Sequence, residues 1–132
     1  HRLIRRQRQM CIRDRYNTEV NKLGIMVEEF YGEKMIILFK DNAPEELADY
    51  CVLHGKNELN DEIQVGDIFR IDGEEYKVTA VGDEVHKNLR DLGHICVRFD
   101  GSTNAELPGS LYLEDKEIKE IKEGTLLEIE RP

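Results

Sequence analysis

In the stretch YCVLHGKNEL, Tyr50 to Leu59, a cysteine, a histidine, a glycine and a lysine fall close together. Those residue types suit three different roles. Cys51 and His54 could share a metal, and His94 and Cys96 of the later HIC stretch would complete a Cys2His2 set of the kind that holds zinc. A neutral imidazole at position 54 could instead attack phosphorus near neutral pH, because its pKa lies close to that pH. Gly55 would then supply conformational freedom and an unshielded N–H, and Lys56 a nearby positive charge. The third role is purely structural. If YCVLH is extended, Tyr50, Val52 and His54 share one side and Cys51 points away, so adjacent chelation fails. A continuing helix would bring Cys51 and His54 to one face. Spacing alone leaves the three roles open.

Other chemistry is thin. HGKNEL lacks the upstream glycine and the following Ser/Thr of a phosphate-binding P-loop, and no Gly-x-Ser-x-Gly, His-Glu-x-x-His or Gly-x-Gly-x-x-Gly pattern occurs. Paired carboxylates carry no signal in a chain with 28 acidic residues. His1 lies in a basic head. His86 falls on a helical flank away from Val85 and Leu89 and is expected at the surface. His94 opens the strand HICVRF, sharing a face with Cys96 and Arg98, as a hydrogen-bonded structural residue near a helix end.

The elements that must position these groups are short apolar runs separated by turn residues, which favours strands. The expected strands are Glu19 to Gly24, Met35 to Phe39, Asp67 to Asp72, Glu75 to Val81, Ile95 to Phe99, Ser110 to Leu113 and Thr125 to Glu130. Asp72-Gly73 between two alternating runs signals an antiparallel hairpin. A short helix should start at Asn42 to Pro44, where Glu45 and Glu46 suit a helix N-terminus. In DEVHKNLRDLGH, Val85, Leu89 and Leu92 form one helical face, with Asp83 as N-cap and Gly93 as the stop. EDKEIKEIKEG reads as a solvated connection into the last strand. The fold class is therefore mainly β, a small antiparallel barrel-like domain with one or two short helices.

Charge divides the chain. The formal net charge is −9, yet residues 1–15 hold six arginines and one aspartate and carry +5, leaving −14 on the other 117. An arginine-rich arm could bind nucleic acid, but the acidic body would repel it, so no nucleic-acid partner is expected. Residues 1–15 read as a basic, non-native or disordered extension and 16–132 as a single domain. No apolar run approaches the roughly 20 residues of a membrane span. Three cysteines give no even disulfide framework, and Cys51 and Cys96 are expected as reduced thiols of a cytoplasmic protein.

Three stretches, APEELADYCVLHGKNEL, YKVTAVGDEVHKNLRDLGHICVRFDG and AELPGSLYLE, resemble the IIA component of the glucitol/sorbitol-specific bacterial phosphotransferase system, over residues 17–131. The resemblance implies a β-rich, barrel-like cytosolic phosphocarrier without a cofactor or metal. It implies that a phosphoryl group passes from phospho-HPr to one histidine, matched here by His54 in Tyr-Cys-x-x-His, and then to a cysteine of IIB. IIB phosphorylates glucitol/sorbitol as the membrane component IIC imports it, so IIB/IIC are the expected downstream partners, with no insertion of this chain into the membrane. His94 matches the family's Gly-His, and a place beside the phosphate is a hypothesis for it. Val52, Leu53 and Leu59 are candidates for a docking patch, and Lys56 for phosphate contacts. The competing function is a noncatalytic small β-barrel binding module with a Cys/His metal site.

Overall fold

Tyr16, Thr18 and Val20 alternate with more exposed neighbours and point into the core, so the first strand of the computed structural model, which describes residues 14–132, is set by a period of two. That strand, β1 (Asp14–Leu23), is followed by a 3-10 helix (Val27–Glu33), β2 (Met35–Lys40), α1 (Glu45–Ala48), β3 (Val52–His54) and β4 (Glu58–Leu59). Then come β5 (Ile68–Ile71), β6 (Glu74–Val81), α2 (Val85–Leu92), β7 (Ile95–Arg98), β8 (Ser110–Leu113) and β9 (Leu126–Glu130).

The strands close into a ring in the order β3-β2-β7-β8-β6-β5-β9-β1, with β1 pairing back onto β3 and the short β4 added alongside β1. Pairing is antiparallel except between β2 and β3 and between β7 and β8. The mainly antiparallel barrel expected from the sequence is therefore the observed fold. Its interior is filled from both ends of the chain, by Tyr16, Leu38, Val52, Phe69, Tyr76, Phe99, Leu111 and Ile129 among others. A smaller apolar cluster of Phe39, Cys51 and Leu53 lies on the other face of β2 and β3, against Ala43 and Ala48 around α1.

Local chemistry explains the turns. Asp72 (φ 48°) and Gly73 (φ 89°) both adopt positive φ between β5 and β6, as a two-residue hairpin of this handedness requires. α2 ends at Gly93, left-handed at φ 64°, whose N–H bonds to Leu89 O at 2.9 Å. The N-terminal residue flanking α2 is Glu84 rather than Asp83, and no side chain caps it. Leu92 is also exposed, because only Val85 and Leu89 reach the barrel. The connection before β9 is irregular as expected, though Ile121 is buried, and Lys119 N–H donates to Tyr76 Oη, which itself donates to Glu117 O, both at 2.8 Å.

The start of β1 lies two residues ahead of the expected domain boundary. Asp14 pairs with Glu130 of β9, Arg15 is buried, and Asn60 N–H donates to Arg15 O at 2.8 Å. The rest of the basic head, residues 1–13 with His1, lies outside the described residues.

Candidate functional site

β3 is extended, which settles the direction of each side chain in VLH. Val52 and His54 face the barrel interior and Leu53 faces the cluster under α1, where Cys51 also lies. His54 is completely buried at the end of β3, between Val20 of β1 and Lys40 of β2.

Polar atoms lie close to both of its ring nitrogens. Nε2 lies 2.9 Å from Gly93 O, and Nδ1 lies 3.2 Å from Lys56 O and 3.4 Å from the Tyr16 hydroxyl. The Tyr16 ring meets the imidazole edge-on, with centroids 6.1 Å apart and an interplanar angle of 90°. A neutral imidazole has one N–H, and the shorter contact places it on Nε2, donating to Gly93 O. Burial pushes the His54 pKa below 6.5, against the opposing pull of the two backbone carbonyls and Asp41, and with a smaller contribution in the same sense from Lys40. The ring therefore stays neutral, with a nucleophilic lone pair, at pH 7.

Three side chains brace the Nδ1 side. Thr18 Oγ1 donates to Lys56 O at 2.6 Å, Tyr16 Oη donates to Asn57 Oδ1 at 2.6 Å, and Asn57 Nδ2 donates to Leu89 O at 2.9 Å and Arg90 O at 3.2 Å. Asn57 thus ties the loop after His54 to the C-terminal carbonyls of α2. The Nε2 side is covered by the Gly93 carbonyl, and the close approach needs glycine: a Cβ there would lie 2.8 Å from His54 Cε1.

Several expectations change at this level. Lys56 is half-exposed and lies 3.6 Å from Glu58 Oε1, so it is the Lys56 carbonyl that meets the imidazole. His94 lies on the opposite sheet face from His54, stacked on Phe39 at 4.6 Å, with Nδ1 3.0 Å from Leu38 O. It has no place beside His54. His86 is half-buried rather than at the surface, because the Ile63 N–H donates to its Nε2 at 2.9 Å. Val52 and Leu53 are buried and Leu59 packs against the core, which removes them as a docking patch. Among the described residues no group of three or more His, Cys, Asp or Glu could hold a metal ion. Burial also pushes the Cys51 thiol up to about 11, away from the thiolate that a metal or a nucleophilic step needs.

Against this geometry, the family model described as the glucitol/sorbitol-specific IIA component of the phosphotransferase system matches residues 15–128. The chain belongs to this family. The glucitol/sorbitol-specific EIIA components of Shigella flexneri and of Escherichia coli (strain K12) are each 35% identical to it over 115 residues, 87% of this chain and 94% of theirs. The crystal structure of a phosphotransferase-system IIA component from Enterococcus faecalis V583 matches with a TM-score of 0.75 at 26% identity, covering 84% of this chain and 96% of that one. As a IIA component the chain is a phosphoryl carrier, and the metal-binding module is not the favoured reading. No helix among the described residues is long and apolar enough to cross a membrane.

Tyr16, Asn57 and Gly93 were not legible as site residues. Tyr16 of β1 and Gly93 at the end of α2 meet His54 directly, and Asn57 in the loop after β3 reaches it through Tyr16; only closure of the ring brings those segments together.

Proposed function

We propose that His54 carries the phosphoryl group, taking it from phospho-HPr and delivering it to a cysteine of the IIB component, for the uptake and phosphorylation of glucitol/sorbitol through IIC. The observation that supports this most is a neutral, water-shielded imidazole on the family-matched segment, with a backbone carbonyl at either ring nitrogen. Transfer forms one N–P bond on His54 as the donor's N–P bond breaks, and the donor imidazole leaves with the electron pair. Little covalent chemistry falls to the protein. It must position the ring, neutralise the phosphoryl oxygens and keep water away, since hydrolysis would waste the group. The carrier acts in the cytoplasm, where phospho-HPr and the IIB acceptor would reach it.

Incubation with phosphoenolpyruvate, the system's first enzyme and HPr, followed by peptide mass mapping, tests the assignment. One acid-labile phosphoryl group on the His54 peptide is expected, and none in His54→Ala. An adduct that survives that substitution refutes it.

A further inference from the structure

We propose that Lys40, not Lys56, is the cation that receives the phosphoryl oxygens when His54 is loaded through Nε2. This assignment rests on the reading of His54 as the phosphoryl carrier.

Three placements carry it. Lys40 is the register partner of His54 across the parallel β2–β3 pair, and it stands two residues after core-facing Leu38 as His54 does after Val52, so the two side chains share one face at the same barrel end. Both also flank the α-carbon of Gly93, where a Cβ would lie 3.0 Å from Lys40 Cβ and 3.1 Å from His54 Nε2. Lys40 is half-buried, and among the described residues no carboxylate lies within ion-pair distance of it, whereas Lys56 is drawn toward Glu58. Its neighbour Asp41, the carboxylate that acts on the imidazole, is engaged by Asn21 Nδ2 at 2.9 Å.

The choice of Nε2 follows from what covers each nitrogen. The Nδ1 side is held by the hydrogen bonds of Thr18, Tyr16 and Asn57, whereas the Nε2 side is shut by one carbonyl belonging to a left-handed glycine. Rotation of the Gly93–His94 peptide would uncover Nε2 while leaving the bonds of Thr18, Tyr16 and Asn57 in place; it gives up one backbone bond, His94 N–H to Asn88 O at 3.3 Å, and glycine tolerates the change in ψ. Water admitted by that rotation takes the Nε2 proton and returns one to Nδ1, which then donates to Lys56 O, so the ring stays neutral. The Nε2 lone pair attacks phosphorus, the donor's N–P bond breaks, and the incoming group brings negative charge to the point that Lys40 flanks. A lysine ammonium on a flexible stem suits such a group as a point charge.

Rapid-quench phosphorylation by radiolabelled phospho-HPr, with the adduct mapped by peptide mass, tests this in Lys40→Met, Lys40→Gln and Lys40→Arg. Far-UV circular dichroism and the melting temperature establish which variants fold. The limiting rate at saturating donor should fall about 100-fold in the methionine and glutamine variants, with most of it restored by arginine and the adduct still on His54. A limiting rate within twofold of the parent, with the adduct on His54, overturns the role of Lys40 and leaves His54 standing. A loss confined to the half-saturating donor concentration makes Lys40 a docking residue and also overturns it. An adduct on another histidine of the unsubstituted protein refutes the reading of His54 and this assignment with it.

Discussion

Replacing Gly93 by alanine asks how closely the end of α2 is fitted to the imidazole. At φ 64° an L-residue other than glycine costs about 1–2 kcal/mol of backbone strain. The added methyl would also stand 2.8 Å from His54 Cε1, 3.0 Å from Lys40 Cβ and 3.1 Å from His54 Nε2, closer than carbon and nitrogen atoms pack. Overpacking of that kind costs about 1–3 kcal/mol more. Gly73 supplies the control, since its φ is 89° and nothing lies within 4 Å of a Cβ built there. Gly73→Ala should therefore show the backbone cost alone, and Gly93→Ala roughly 2–5 kcal/mol in all. Urea unfolding followed by far-UV circular dichroism measures both. At this chain length each kcal/mol moves the melting temperature by about 3–6 °C, so the two variants should separate clearly. Equal losses at the two glycines would refute the close contact between Gly93 and His54.

Two further outcomes follow from the same structure. The folded-state pKa of His54 is lowered from 6.5, so as pH falls below about 6.5 the unfolded chain binds a proton that the folded one refuses. This group's contribution to stability is whole above that pH and declines toward the folded pKa by at most about 1.4 kcal/mol per pH unit; urea titrations of His54→Gln should lack that component. Removal of residues 1–13 should leave the melting temperature unchanged, whereas removal of 1–15 takes away the Asp14–Glu130 pairing and the Arg15 carbonyl that accepts from Asn60, costing about 1–2 kcal/mol. Differential scanning calorimetry of the two truncations separates them, and equal melting temperatures would place the boundary back at residue 16.

Where the sequence was legible, the signal was local. The Asp72-Gly73 hairpin and the stop at Gly93 depend on a few neighbouring residues, and both stand as expected. β1 was harder, because Thr18 occupies an inward position and breaks the apolar alternation that Tyr16 and Val20 begin. β3 is only three residues long with all of them buried, so VLH shows no alternation to read. His54 stood out through chemistry and resemblance, but its depth did not. A histidine on a strand looks the same in sequence whether it faces solvent or a barrel interior, and here burial depends on Tyr16, far away along the chain. Lys56 was read on similarly local grounds. Nearness in sequence drew attention to its charge, whereas strand register brings Lys40 alongside the ring.

The closed ring has a consequence for how such a carrier meets its partners. Apart from the short β4, each strand is hydrogen-bonded to a neighbour on both sides, so the barrel offers little free edge onto which a visiting chain could zip its own strand. Side chains and loops, rather than added strands, are then the surface that the described barrel offers to a visitor. Contacts of that type come apart without unpairing a backbone ladder, which suits a protein that has to let go of one partner before it can serve the next.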